Sequence, residues 1–171
     1  MLFRSRSAAR TAEVAGFTVP AGTKFIIVKE DKIGKQHPFS GEKLSPVLSI
    51  FRYHGFDTAL KMVEEILEVG GKGHSTGIYS FDPRHIHALA LMAPVSRIMV
   101  RQPQVRANAG SFNNGMPMTA SLGCGTWGGN ITSENIGVKH FMNVTWVSEP
   151  IPEDKPTEQE IFGRFYNTAT V

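Results

Sequence analysis

From Thr23 onward, short apolar runs rich in β-branched and aromatic residues alternate with stretches of helical period. Lys24 to Val28 and Val47 to Tyr53 have the density of strands. Between Phe56 and Val69 the residues Phe56, Ala59, Leu60, Val63, Ile66 and Leu67 recur at spacings of three and four, which predicts a helix with one apolar face. Asp57 or Thr58 is its expected cap and Gly70-Gly71 its stop. Ile78 to Phe81 predicts a short strand. Asp82-Pro83 pairs a capping residue with a proline suited to the first helical position, so a second helix is expected to about Met92. Pro94 ends it, and Ser96 to Arg101 predicts another strand. The order strand, helix, strand, helix, strand with short connections is that of a parallel sheet covered by crossover helices, an α/β fold.

Beyond Gln102 the pattern breaks. As far as Gly137 the chain is dense in Gly, Asn, Pro and Met without a sustained period, and Phe112 and Trp127 suggest that this stretch is packed and functional. Val144 to Ser148 reads as a late strand. From Glu149 a tail begins with prolines and acids and ends in an amphipathic stretch, Glu158 to Tyr166, suited to a subunit contact or to a solvated terminus. The expected organisation is therefore a leader at 1–10, a body at 11–148 and a tail at 149–171.

Composition narrows the class. With 171 residues, 41% hydrophobic and 19% charged, the chain has enough apolar content for one ordinary core. Its apolar runs are strand-sized and far short of the roughly 20 residues that cross a bilayer. The net charge of +3 is accounted for by Arg4, Arg6 and Arg10, and the rest of the chain is balanced. That distribution offers no basic face, which excludes a nucleic-acid partner. Arg- and Ser-rich and free of acids, Met1–Arg10 reads as a targeting-like or non-native leader. A single cysteine, Cys124, fits a reducing, cytoplasmic setting and leaves neither an internal disulfide nor an ordinary zinc site.

Several residues invite chemistry. Gly123, Gly125 and Gly128 satisfy G-x-G-x-x-G, but that fingerprint needs a strand before it and a helix after it, and the flanking residues favour neither. Cys124 has no base or cation beside it in sequence and reads as a loop-packed cysteine rather than a nucleophile. His85 and His87 lie two apart on an expected helix, so they point to different faces and do not share a metal. His74 follows a glycine-rich turn between the first helix and a strand, and reads either as a site residue or as a turn histidine bonded to backbone. Glu42, just before a strand, reads by itself as a surface carboxylate.

Four runs taken together, AEVAGFTVPAGTKFIIV, HPFSGEKLSPVL, GGKGHSTGIYS and SLGCGTWGGNITSENIGVKH, resemble the CoA-acylating branch of the aldehyde dehydrogenase superfamily, specifically its C-terminal part. They cover Ala12 to about Val147. The resemblance implies an oligomeric oxidoreductase that oxidises an aldehyde with NAD or NADP and passes the acyl group to coenzyme A. In that chemistry a cysteine thiolate attacks the aldehyde and hydride leaves to the nicotinamide. By the same resemblance Glu42 hydrogen-bonds the nicotinamide ribose, His74 assists attack by CoA, and Gly123 to Asn130 is a loop closing over the substrate side. Cys124 does not match the family nucleophile, which lies upstream of everything in this chain. Within the branch, the stretch from Arg97 to Asn130 looks most like acylating sulfoacetaldehyde dehydrogenases. Arg97, Arg101 and Arg106 suit an anionic sulfonate, or else form a charged rim. Two readings compete with a catalytic fragment: a regulatory or pairing module derived from this family, and a small nucleotide-binding protein using the Gly123 to Gly128 loop.

Overall fold

The computed structural model describes residues 6–166. The first five residues of the expected leader, with the sequence MLFRS, lie outside the described residues. The described chain divides into two units, 6–141 and 142–166.

The first unit begins with a helix that the hydrophobic pattern leaves unassigned, α1 (Ala8–Val14). Ser7 caps it by accepting the Arg10 N–H at 3.2 Å, and Ala8, Thr11 and Ala12 are buried. Residues 8–10 of the expected leader are thus part of this helix. Two strands follow, β1 (Ile26–Lys29) and β2 (Val47–Ile50), parallel and in register from Ile26 opposite Val47 to Lys29 opposite Ile50. A second parallel pair is formed by β3 (Thr76–Ile78) and β4 (Ile98–Val100). Helix α2 (Phe56–Val69) joins the two pairs, and α3 (Pro83–Met92) crosses over from β3 to β4.

The α/β class is as expected, but the sheet is not continuous. It is split into two two-stranded sheets, with no ladder between β2 and β3. A strand-helix-strand order places two strands on the same side of a helix without making them neighbours, and here a cleft separates them. The core lies under the second pair, where Leu67 of α2, Leu89 of α3, Ala93 and Val95 are buried and Leu60, Val63, Ile78, Met92 and Ile98 pack against them. Around this small core many large apolar side chains are exposed, among them Phe25, Ile27, Leu48, Phe81 and Val105. Exposed apolar surface this broad favours association.

The helix limits follow local chemistry. α2 matches its expected span, but neither Asp57 nor Thr58 caps it. Gly55 holds the cap position at φ 78°, a left-handed conformation that glycine adopts without strain, and no side chain bonds the first turn. Asp82 does cap α3, accepting the Arg84 N–H at 2.9 Å, with Pro83 next in the chain. The Arg84 side chain also donates to this carboxylate, and these bonds hold the Asp82 pKa near 2, well below its ordinary 3.8. A depressed carboxylate pKa stabilises the fold above the unfolded value and stops doing so as pH falls through the folded one. Circular dichroism between pH 4 and 2 is therefore expected to show the cap of α3 failing towards the lower end of that range. Asp82→Asn, which caps without titrating, should flatten this part of the profile. An identical profile in the variant would remove Asp82 as its cause.

From Gln102 to Phe141 the chain holds only α4 (Gln104–Ala107) and two short 3-10 turns, Thr126–Gly128 and Val138–Phe141. Phe112 and Trp127 are both exposed, so the expected aromatic packing does not organise this stretch. A buried arginine does. Arg97, 5% exposed, donates from Nε to Asn135 Oδ1 at 2.8 Å, from Nη1 to the Gly123 carbonyl at 2.8 Å and from Nη2 to the Ser133 carbonyl at 3.1 Å. Asn135 extends the network, donating to the carbonyls of Asn108 and Pro117 at 3.0 and 2.7 Å.

In the second unit the strand expected at Val144–Ser148 is absent. Val144, Trp146 and Val147 are exposed, and the segment pairs with no strand among the described residues. The expected helix is present in short form as α5 (Glu158–Phe162), with a 3-10 turn after it. It starts with a capping box in which the Thr157 hydroxyl accepts the Glu160 N–H while Glu160 accepts the Thr157 N–H at 2.7 Å.

Candidate active-site cleft

The cleft between β2 and β3 has a volume of about 910 Å³ and is floored by Val63, Ile66 and Leu67 of α2. Glu42 and His74 both line it, so the fold brings together two residues from distant turns. Ser75, Gln104 and Asn108 add polar groups to a lining that is otherwise largely apolar, with Leu48, Val105 and Leu122.

Glu42 is carried on a segment tied down on both sides. The 3-10 turn Pro38–Ser40 precedes it, and Lys43 Nζ donates to the carbonyls of Phe39 and Gly41, each at 2.7 Å. Burial of that ammonium lowers the Lys43 pKa. Ser40, itself buried, accepts the Gly34 N–H at 3.2 Å. Glu42 is exposed, and its carboxylate makes no hydrogen bond or ion pair among the described residues.

His74 sits at the end of a turn built from glycines. Gly71 and Gly73 have φ of 94° and 83°, and the His74 N–H returns to the Gly71 carbonyl at 3.2 Å. The position of Gly73 is set by backbone on both sides: its N–H donates to the Pro94 carbonyl at 2.8 Å and its carbonyl accepts the Ser96 N–H at 3.1 Å. The 123–130 loop presses directly on it. A Cβ on Gly73 would lie 2.3 Å from the Cys124 carbonyl oxygen and 2.6 Å from the Gly128 nitrogen. The glycines of this loop therefore serve close contact between backbones. In place of the strand and helix of a dinucleotide fold, an isolated bridge from Leu122 to Asn135 precedes them and a single 3-10 turn, Thr126–Gly128, lies within the loop.

The His74 imidazole is exposed to the cleft, with Nδ1 2.7 Å from Ser75 Oγ. Cys124 is half-buried and does not line the cleft; its N–H donates to Asn130 Oδ1 at 2.8 Å. His85 is stacked on Phe56 with ring centroids 3.9 Å apart, and His87 is exposed. No cluster among the described residues has the ligands for a metal ion. No helix among them is long and apolar enough to cross a membrane.

The sulfonate reading of the three arginines does not survive for Arg97, whose guanidinium is spent on three protein acceptors. Burial also lowers its pKa. Arg101, at φ 52°, donates to the Ser80 carbonyl at 2.7 Å and lies over the Phe81 ring, while Arg106 is exposed. None of the three lines the cleft. Sequence reasoning singled out Glu42 and His74 but not Ser75, Gln104 and Asn108, whose polar side chains in a Gly- and Asn-rich stretch carry no spacing signal.

No protein-family model matches the chain. It is 46% identical over 161 residues to a sulfoacetaldehyde dehydrogenase of Acholeplasma, covering 94% of this chain and 33% of that protein. It is 40% identical over 166 residues to an acylating sulfoacetaldehyde dehydrogenase of Cupriavidus necator, covering 96% and 34%. Its fold is shared with the crystal structure of an acetylating aldehyde dehydrogenase from Geobacillus thermoglucosidasius, with a TM-score of 0.78 and 34% identity over 89% of this chain and 34% of that one. Two more distant structures, each 22% identical and sharing the fold, hold NADP+ in one case and coenzyme A with an acylated cysteine in the other. The fold is that of part of an aldehyde dehydrogenase. The chain is homologous to the acylating sulfoacetaldehyde dehydrogenases and acetylating aldehyde dehydrogenases, and it spans about a third of their length.

Proposed function

We propose that the chain is the C-terminal part of a CoA-acylating, NAD(P)-dependent aldehyde dehydrogenase and forms one wall of its active site. The observation that carries this reading is the shared cleft, which holds Glu42 and His74 together. An ionised carboxylate accepts hydrogen bonds only, which makes the unpartnered Glu42 a fit for the hydroxyls of a ribose. The nicotinamide cofactor, when bound, supplies the hydride acceptor. Within this wall Glu42 orients the ribose, and His74 acts where coenzyme A attacks the acyl group. Neither residue is a nucleophile, and Cys124 lies outside the cleft. The attacking thiolate and the cofactor domain therefore come from protein beyond this chain, as does the cover for its exposed apolar surface.

The names of these two relatives favour sulfoacetaldehyde as the aldehyde and sulfoacetyl-CoA as the product. Its sulfonate is then held by groups other than Arg97, Arg101 and Arg106. Oligomerisation of the intact enzyme accords with this reading.

Two measurements test it. The purified chain, given sulfoacetaldehyde, coenzyme A and NAD+ or NADP+, is expected to form no reduced cofactor. Reduction that depends on coenzyme A and is lost in Cys124→Ala would overturn the proposal. Reading the gene continuously upstream of codon 1 is expected to reveal a frame that runs through a cysteine-bearing segment and a cofactor domain. A stop codon and ribosome site just before Met1 would instead define a short protein with a non-catalytic role.

A further inference from the structure

The turn that carries His74 is wired to α4 by a chain of side-chain hydrogen bonds. Ser75 Oγ lies 2.9 Å from Gln104 Nε2 and 2.9 Å from Asn108 Nδ2, and both amides donate to it. The orientation of Gln104 is fixed independently, because the same Nε2 donates to the Ser75 carbonyl at 3.0 Å. A hydroxyl has two lone pairs and one hydrogen. With both lone pairs occupied, the hydrogen of Ser75 goes to the one remaining neighbour, His74 Nδ1 at 2.7 Å. An Nδ1 that accepts carries no proton, so the neutral ring bears its hydrogen on Nε2. That nitrogen has no partner among the described residues, on a ring that lines the cleft.

We propose that Ser75, held by Gln104 and Asn108, is a positioning residue that fixes His74 as its Nε2–H tautomer. His74 then meets the acyl group as a hydrogen-bond donor to its oxygen, and not as the base that takes the proton of the coenzyme A thiol. The inference rests on His74 being an active-site residue, as proposed above. A neutral imidazole N–H aimed at an acyl oxygen favours the charge that develops there as the thiol attacks. As the new sulfur–carbon bond to coenzyme A forms and the bond to the acylated cysteine breaks, the thiol proton passes to the departing cysteine thiolate, and the ring keeps its own proton. Asn108 is 95% buried and its Oδ1 has no partner, which makes it the point at which the chain can be reversed.

The tautomer is directly observable. In the chain labelled with 15N-histidine, at mildly alkaline pH, two-bond proton-nitrogen correlation spectra distinguish Nε2–H from Nδ1–H rings, and the His74 signals are those lost in His74→Asn. Wild-type His74 is expected to be Nε2–H. Ser75→Thr should preserve that state, and Ser75→Ala should give a mixture of tautomers. Asn108→Asp places an acceptor where an amide donated, so Ser75 turns its hydrogen to the carboxylate and His74 is expected to switch to Nδ1–H. A wild-type ring that is Nδ1–H or an even mixture would overturn the proposal, as would a Ser75→Ala ring unchanged from wild type. Should Asn108→Asp not fold, the wild-type and Ser75 spectra still decide. The spectra need no turnover, so their failure leaves the active-site reading standing. That reading fails separately if His74→Ala in the intact enzyme keeps its rate of acyl transfer.

Discussion

Gly73→Ala is expected to destabilise the chain by roughly 3 kcal/mol or more, seen as a lower midpoint in thermal or urea unfolding. Two costs add. A non-glycine residue at φ 83° pays roughly 1–2 kcal/mol for the left-handed conformation. The new methyl would also enter a space already filled by the Cys124 carbonyl and the Gly128 nitrogen, at 2.3 and 2.6 Å. Both obstacles are backbone, so no rotamer change relieves them. Gly71→Ala is the control, because its φ of 94° carries the first cost while the nearest atom, Leu67 Cδ2, is an ordinary 3.9 Å away. Equal losses in the two variants would mean that the loop does not press on Gly73.

Arg97→Met is expected to cost a comparable amount, on the order of 3 kcal/mol or more, and to leave the 110–134 stretch open to limited proteolysis. Methionine matches much of the bulk but leaves Asn135 Oδ1 and the carbonyls of Gly123 and Ser133 without donors. The two buried ones, on Gly123 and Asn135, forfeit about 1–3 kcal/mol each. Arg97→Lys should recover only part of the loss, since an ammonium is a single point and does not span three acceptors that a planar guanidinium reaches at once. Protease resistance equal to wild type in Arg97→Met would show that the stretch is ordered by something else.

These two positions mark where the sequence was readable and where it was not. α2 was legible to its ends because six apolar residues share one face over about three turns, and α3 because Asp82 and Pro83 announce its start. The cap of α2 was misread because polar side chains at Asp57 and Thr58 advertise capping, whereas Gly55 acts through its backbone and leaves no such mark. A run such as Val144 to Ser148 shows that residues suit a strand but not that a neighbour exists, and without one they remain extended and exposed. The split of the sheet has the same origin, since pairing partners are a property of the whole fold. In the candidate site, Glu42 and His74 were found through resemblance, and their common cleft only through the structure. The network around Arg97 was out of reach altogether, because a guanidinium that suits an external anion also suits three carbonyl-type oxygens supplied by a distant segment.

The bonds from Arg97 run to partners 26, 36 and 38 residues along the chain, whereas β3 and β4 are joined by the single helix α3. Closing a long segment costs entropy before the contacts at its ends repay it. Thr76 and Ile98, paired across β3 and β4, are themselves 22 residues apart, so the closures differ little in that cost, and one guanidinium gathers three separate points of the later segment. Because that segment also bears on Gly73, the turn that carries His74 leans on a loop supplied from a much later part of the chain, and the position of this imidazole answers to residues that never touch it.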